Sequence, residues 1–173
     1  KTITVDENPV RVAQALALQD AASQLGHSLG IDRITFTELI SRSFSGDRDY
    51  DIIITNWGSD FPDPSGNLVP NYTTGNIGDG GANFSNYQNP AIDELLNGQH
   101  GETDNAVRTR MMIEAQAIIA EDSPLIFFDH PRHPWALNTG FAGYDIVPLN
   151  GCSGSHDTHS MKPNPPLRPA PPP

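Results

Sequence analysis

Three consecutive isoleucines, Ile52, Ile53 and Ile54, constrain the fold more than any other feature of the chain. A strand with one wet face alternates polar and apolar residues, so an unbroken apolar run predicts a strand, over 51–57, covered on both faces. The upstream pattern agrees. Thr2 to Val5 is a short β-branched run. Asn8-Pro9 places a capping side chain before a proline whose missing N–H costs nothing at the first helical position. The Ala-rich stretch after it carries Leu18, Ala22, Leu25 and Leu29 at helical spacing, stopped by Gly26 and Gly30. Ile34 to Thr37 reads as a second strand and Glu38 to Phe44 as a short helix. Strand, helix, strand, helix, strand with short connections predicts an α/β fold with a mostly parallel sheet flanked by helices.

Beyond Trp57 about thirty residues read as loop, punctuated by Pro62, Pro64, Gly66, Pro70 and the glycines at 75, 78, 80 and 81. A loop of that length in a compact domain carries function or disorder. Asn89-Pro90 repeats the cap-plus-proline device before a helix through Leu96, closed by Gly98. Thr103 or Asp104 caps a longer helix with Val107, Met111, Ala115 and Ile118 on one face, ended at Ser123-Pro124. Leu125 to Phe128 predicts an apolar strand, with a weaker one at Trp135 to Asn138. From Gly151 onward no apolar period exists, and 161–173 holds seven of the chain's 16 prolines. The expected organisation is therefore a body over 1–150, part of a lobe, and a disordered Pro-rich tail over 151–173.

Composition excludes several classes. Ten Lys+Arg against 21 Asp+Glu give a formal charge of -11, the wrong sign for counterion release on nucleic acid. One cysteine excludes an intramolecular disulfide and a Cys-rich zinc site. The mean hydropathy of -0.42, with no apolar run of spanning length, excludes a transmembrane helix.

The segment richest in chemistry runs from Asn56 through Trp57, Gly58, Ser59, Asp60, Phe61, Pro62 and Asp63 to Pro64. It follows the buried strand at its carboxyl end, where open α/β sheets bind ligands. A Trp offers a flat apolar face and a carboxylate three residues on offers fixed negative charge, a pair suited to an ammonium or guanidinium group. A plain structural role, with Trp57 in the core and Asp60 and Asp63 in turns, fits the same residues. Asp129-His130-Pro131-Arg132-His133 follows a predicted strand, which makes His130 a candidate site residue or part of a surface ion cluster. Cys152, His156 and His159 have ligand-like spacing but fall in the tail, so no metal site and no cofactor are expected. Gly151 to Ser155 lacks the last glycine of a nucleophile elbow. Asn71-Tyr-Thr and Asn83-Phe-Ser match the glycosylation sequon, as short polar loops often do by chance.

Four stretches in order resemble the extracytoplasmic solute-binding proteins of peptide-type ABC importers, the family of dipeptide-, oligopeptide- and nickel-binding proteins. They are 49–64, 82–96, 108–119 with its Glu-Ala-Gln, and 121–127. The match covers about residues 1–148. It implies a periplasmic-binding-protein-like lobe, the later part of the second of two lobes that close around a ligand, with the first lobe and any signal peptide lying upstream. It further implies a monomeric, non-enzymatic binder, periplasmic or extracellular and surface-anchored in some relatives, peripheral to the membrane at most. Its expected partners are a peptide or other amine-bearing solute and the importer's membrane subunits. The resemblance maps the acid that pairs with a ligand α-ammonium onto Asp60 and the aromatic onto Trp57. Where some members carry pocket aromatics this chain departs, with Asp129, His130 and Pro131; His130 and Asn56 are further candidate ligand residues. The alternatives are a small acid hydrolase using Asp60 and His130, a nickel-type binder, and a domain whose tail recruits a partner.

Overall fold

The computed structural model describes residues 1–59, 61, 63–129, 136, 138–143 and 162–163. They divide into one unit formed by Lys1–Trp57 with Asp63–Phe128, and another formed by Gly58–Pro62 with Asp129–Pro173.

The first unit opens on a three-stranded parallel sheet. β1 (Thr2–Val5) lies between β2 (Gly30–Arg33) and β3 (Ile52–Ile53), with Ile3 opposite both Ile31 and Ile52. The strand covered on both faces is thus β1, where Ile3, Thr4 and Val5 are buried, and not the isoleucine triplet. β3 is a two-residue edge strand whose side chains are half-buried; only Ile54 beyond it is buried. Three hydrophobic residues in a row report burial, and here it falls on Ile54, which clusters with Ile3 and Val5 of β1 and Ala15, with Ile52 partly buried against them. β2 likewise begins four residues earlier than expected, because Thr35 caps the next helix by accepting from Glu38 N, which draws Phe36 and Thr37 into it.

α1 (Pro9–Gln24) and α2 (Phe36–Phe44) connect the strands. Asn8 caps α1 through Oδ1, which accepts from Val10 N at 2.9 Å and Arg11 N at 3.4 Å. Gly26 stops it with φ +81°, a left-handed conformation that glycine adopts without strain. The buried residue of α1 is Ala15, with Val12, Leu18 and Leu29 packed around Ile3, Val5 and Ile54. Leu25, expected on that face, is exposed because it is already the C-cap residue.

The stretch read as loop after Trp57 contains a helix, α3 (Ser65–Tyr72). Then come α4 (Pro90–Gly98), capped by Asn89 as expected, and α5 (Asn105–Asp122), capped by Asp104. These three helices share a second apolar cluster of Tyr72, Ile92, Leu96, Met112, Ala115 and Ile119. The buried face of α5 is therefore Met112, Ala115 and Ile119, rotated by about one residue from the expected Met111 and Ile118. Asn83 supports this half from a fully buried position. Its Nδ2 donates to Thr73 O and Tyr87 O, while its Oδ1 accepts from Ser85 Oγ and Tyr87 N. Both amide hydrogens are taken, so this sequon is structural in the folded chain.

Leu125 to Phe128 is not a strand. Leu125 packs on the helical cluster, while Ile126, Phe127 and Phe128 are exposed at 70%, 67% and 43%. A strand needs a hydrogen-bonding neighbour, and none of the described residues pairs with this segment. In the second unit, β4 (Phe141–Ala142) pairs antiparallel with β5 (Lys162–Pro163). Apart from these two β5 residues, the expected tail over 151–173 lies outside the described residues. So does the expected strand at Trp135, except for Ala136 and Asn138. No helix among the described residues is long and apolar enough to cross a membrane.

Candidate functional site

Because β1 and β3 run parallel, the residues that follow them leave the sheet at the same edge. Val5 gives way to Asp6, and Ile54, still bonded to Thr4 O at 3.0 Å, leads to Thr55, Asn56 and Trp57. That carboxyl edge is where a parallel sheet leaves backbone and side chains free for a ligand.

Two arrangements occupy it. The first is ionic. Arg11, in the first turn of α1, donates from Nε to Asp6 Oδ1 at 2.8 Å and from Nη2 to Asp6 Oδ2 at 2.6 Å. Its Nη1 donates to Asn56 Oδ1 at 2.5 Å. Asp6 is only 3% exposed, and its Oδ1 also accepts from Asn8 N at 3.1 Å. The guanidinium bonds hold its carboxyl below the ordinary carboxylate range, outweighing burial, and the Asn8 amide adds to them. A forked, charge-assisted pair therefore ties the end of β1 to α1 and reaches the end of β3.

The second arrangement is aromatic. Trp57 is 40% exposed, and its ring meets Phe44 at 6.5 Å and Phe84 at 6.2 Å. Phe84 in turn packs edge-on against Phe44 at 5.1 Å, with the Arg48 guanidinium 5.5 Å from its centroid. Arg48 is nearly buried and clamps the glycine-rich loop, its Nη2 donating to Gly78 O at 3.1 Å and Gly81 O at 3.0 Å. Gly81 has to be glycine here: a Cβ would lie 2.0 Å from Asn76 O.

The Trp57 indole N–H donates to Gly66 O at 3.4 Å. That carbonyl lies four residues before Pro70, which sits inside α3 and has no N–H to give it. The proline that made this stretch read as loop therefore frees the acceptor that orients the tryptophan.

Asp63 proves to be a scaffold acid. It accepts from Ser65 N at 2.9 Å and pairs with Arg108 Nη2 at 2.7 Å, joining the start of α3 to α5. Arg108 first, then Ser65, hold its carboxyl well below the usual range. Among the expected ligand residues, Asn56 and Trp57 follow β3 at the sheet edge, Asn56 on Arg11 and Trp57 on Phe44, Phe84 and Gly66 O, while Asp60 and His130 lie outside the described residues. Among the described residues no three or more His, Cys, Asp or Glu side chains are grouped to hold a metal. Cys152, His156 and His159 are not among them. Sequence reasoning missed Asp6, Arg11, Phe44 and Phe84. An acid just before an Asn-Pro helix start and an arginine three residues past the cap is a readable local signal for the first two. The aromatic contacts are long-range and leave none.

No family model matches the chain. It is 30% identical over 145 residues, 83% of its length, to the probable D,D-dipeptide-binding periplasmic protein DdpA of Escherichia coli, and covers 27% of that protein. The chain spans about a quarter of the length of the curated relatives it matches. Among solved structures it resembles the periplasmic binding protein DppA from Helicobacter pylori, in complex with the peptide STSA. There the TM-score is 0.64 at 23% identity, covering 71% of this chain and 24% of that one. NikZ from Campylobacter jejuni, in complex with Ni(L-His), gives 0.60 at 19% identity over the same shares. At these identities the structures show the fold: a mixed α/β lobe with a parallel sheet flanked by helices, of the periplasmic-binding-protein kind.

Proposed function

We propose, from the chain's homology to dipeptide- and oligopeptide-binding periplasmic proteins, that it contributes part of the ligand wall of an ABC importer's solute-binding component. In this reading the protein works outside the cytoplasm, captures peptides or related amine-bearing solutes, and delivers them to the importer's membrane subunits. The homologues are binding proteins rather than enzymes, which sets aside a hydrolase built on Asp60 and His130.

One observation carries the reading: at the carboxyl edge of the sheet an exposed tryptophan is braced by Phe44, Phe84 and the Gly66 carbonyl. These three neighbours fix the ring while the residue stays 40% exposed, which gives the edge a rigid apolar face. By the family resemblance Trp57 is assigned an apolar wall and Asp60 the charge for a ligand ammonium, with Asn56 and His130 as further candidate ligand residues. Residues 1–150 form part of the solute-binding lobe in this reading.

Asp60→Asn in the full-length natural protein is expected to weaken peptide binding by more than about tenfold, since it removes a charge-assisted bond. Asp63→Asn is expected to lower the melting temperature instead, because Asp63 already serves Arg108 and Ser65. Calorimetric titration of both variants decides it, and equal losses of affinity would contradict the assignment. The nickel-type alternative, raised by the likeness to NikZ, is checked in the same instrument with a nickel–histidine mixture.

A further inference from the structure

We infer that Arg11 is a positioning residue that fixes which way the Asn56 amide faces, so that Asn56 meets the ligand as a hydrogen-bond donor and selects a main-chain carbonyl oxygen. This rests on the reading of Asn56, Trp57 and Asp60 as ligand residues. A guanidinium can only donate. The atom of Asn56 that lies 2.5 Å from Arg11 Nη1 must therefore be the amide oxygen, since the flipped amide would set N–H against N–H. Arg11 cannot turn aside to relieve such a clash. Its Nε and Nη2 are both committed to Asp6, which is buried and ionised.

Asn56 itself is exposed, and none of the described residues accepts from its Nδ2. An unrestrained asparagine offers a ligand either polarity by flipping. With its oxygen held by Arg11, Asn56 cannot flip: both Nδ2 hydrogens are left for an acceptor, while the oxygen keeps only a second lone pair, next to the guanidinium. The complementary group is an acceptor. On a peptide, that is a carbonyl oxygen of the backbone, whereas an ammonium would meet a like-signed dipole there. The Asp6–Arg11–Asn56 chain thus sets the polarity of one ligand contact from the far side of the sheet edge.

The test uses the full-length natural protein with trialanine and two analogues. One carries an ester at the first linkage and keeps the carbonyl while losing the N–H. The other carries a trans-alkene and loses both. The wild type is expected to bind trialanine and the ester within about threefold of each other, and the alkene about tenfold more weakly. Asn56→Asp keeps an acceptor for Arg11 but has no donor. It should bind trialanine and the ester about tenfold more weakly and show no preference over the alkene, with its melting temperature unchanged or raised. Arg11→Lys can serve Asp6 with one ammonium but cannot also span to Asn56, so the preference should shrink several-fold while the fold survives. A preference for the carbonyl that persists in Asn56→Asp, or one left intact in Arg11→Lys, would overturn the inference. If the wild type binds none of the three, or Asp60→Asn binds as well as wild type, the ligand reading falls first. If that reading stands and Asn56→Asp binds normally, this inference alone falls.

Discussion

Replacing Arg11 with methionine is expected to destabilise the chain by about 3 kcal/mol at neutral pH, the scale of a buried ion pair broken by removing one partner. The change leaves Asp6, only 3% exposed, with the Asn8 amide but no cation. The effect carries a pH signature. Asp6 titrates below its ordinary value in the folded chain, chiefly because of Arg11. Its contribution is therefore complete above the unfolded carboxylate value of about 3.9 and is lost as the pH falls through the lower folded value. Without Arg11, burial pushes the other way. Urea melts of both proteins should thus show the full gap at pH 7 and a much narrower one at pH 3. An equal gap at both would mean that Arg11 contributes packing rather than charge.

Leu96→Ala should cost a similar amount by a different route. Leu96 is fully buried on α4 among Ile92, Tyr72, Met112, Ala115 and Ile119. Removing three carbons from such a site loses transfer free energy and leaves a cavity, about 2–5 kcal/mol in total. Ile113→Ala on α5 is the control, since that side chain is 61% exposed and should change stability by no more than about 0.5 kcal/mol. The difference in melting temperature, roughly 10 °C at this chain length, is read by scanning calorimetry. If Ile113→Ala cost as much as Leu96→Ala, the packing of the three helices would be wrong.

Both residues illustrate what local sequence carries and what it does not. The starts of α1, α4 and α5 were legible because a cap is written in three or four neighbouring residues: Asn8-Pro9, Asn89-Pro90 and Asp104. Strand order was not. The isoleucine triplet and the run at Thr2 look alike in isolation, and only the crossover through α1 puts β1 in the middle. α3 hid behind Pro64, Gly66 and Pro70, residues that usually break helices. Here Pro64 is the cap, Asp63 takes the first free N–H, and the carbonyl freed by Pro70 serves Trp57. The candidate site was half legible. Trp57 and Asn56 follow from their place after a strand, whereas Phe44 and Phe84 reach the tryptophan from elements far away in sequence.

The central claim is that this sheet edge belongs to a site for solutes bearing a free amine. Isothermal titration of the full-length natural protein with a pool of di- and tripeptides, and with the same pool acetylated at the α-amine, tests it most directly. Saturable heat without turnover is expected for the free peptides, and at least about tenfold weaker binding for the acetylated ones, since acetylation removes the ammonium assigned to Asp60. Equal affinity for the two pools, or steady release of hydrolysed peptide, would contradict it.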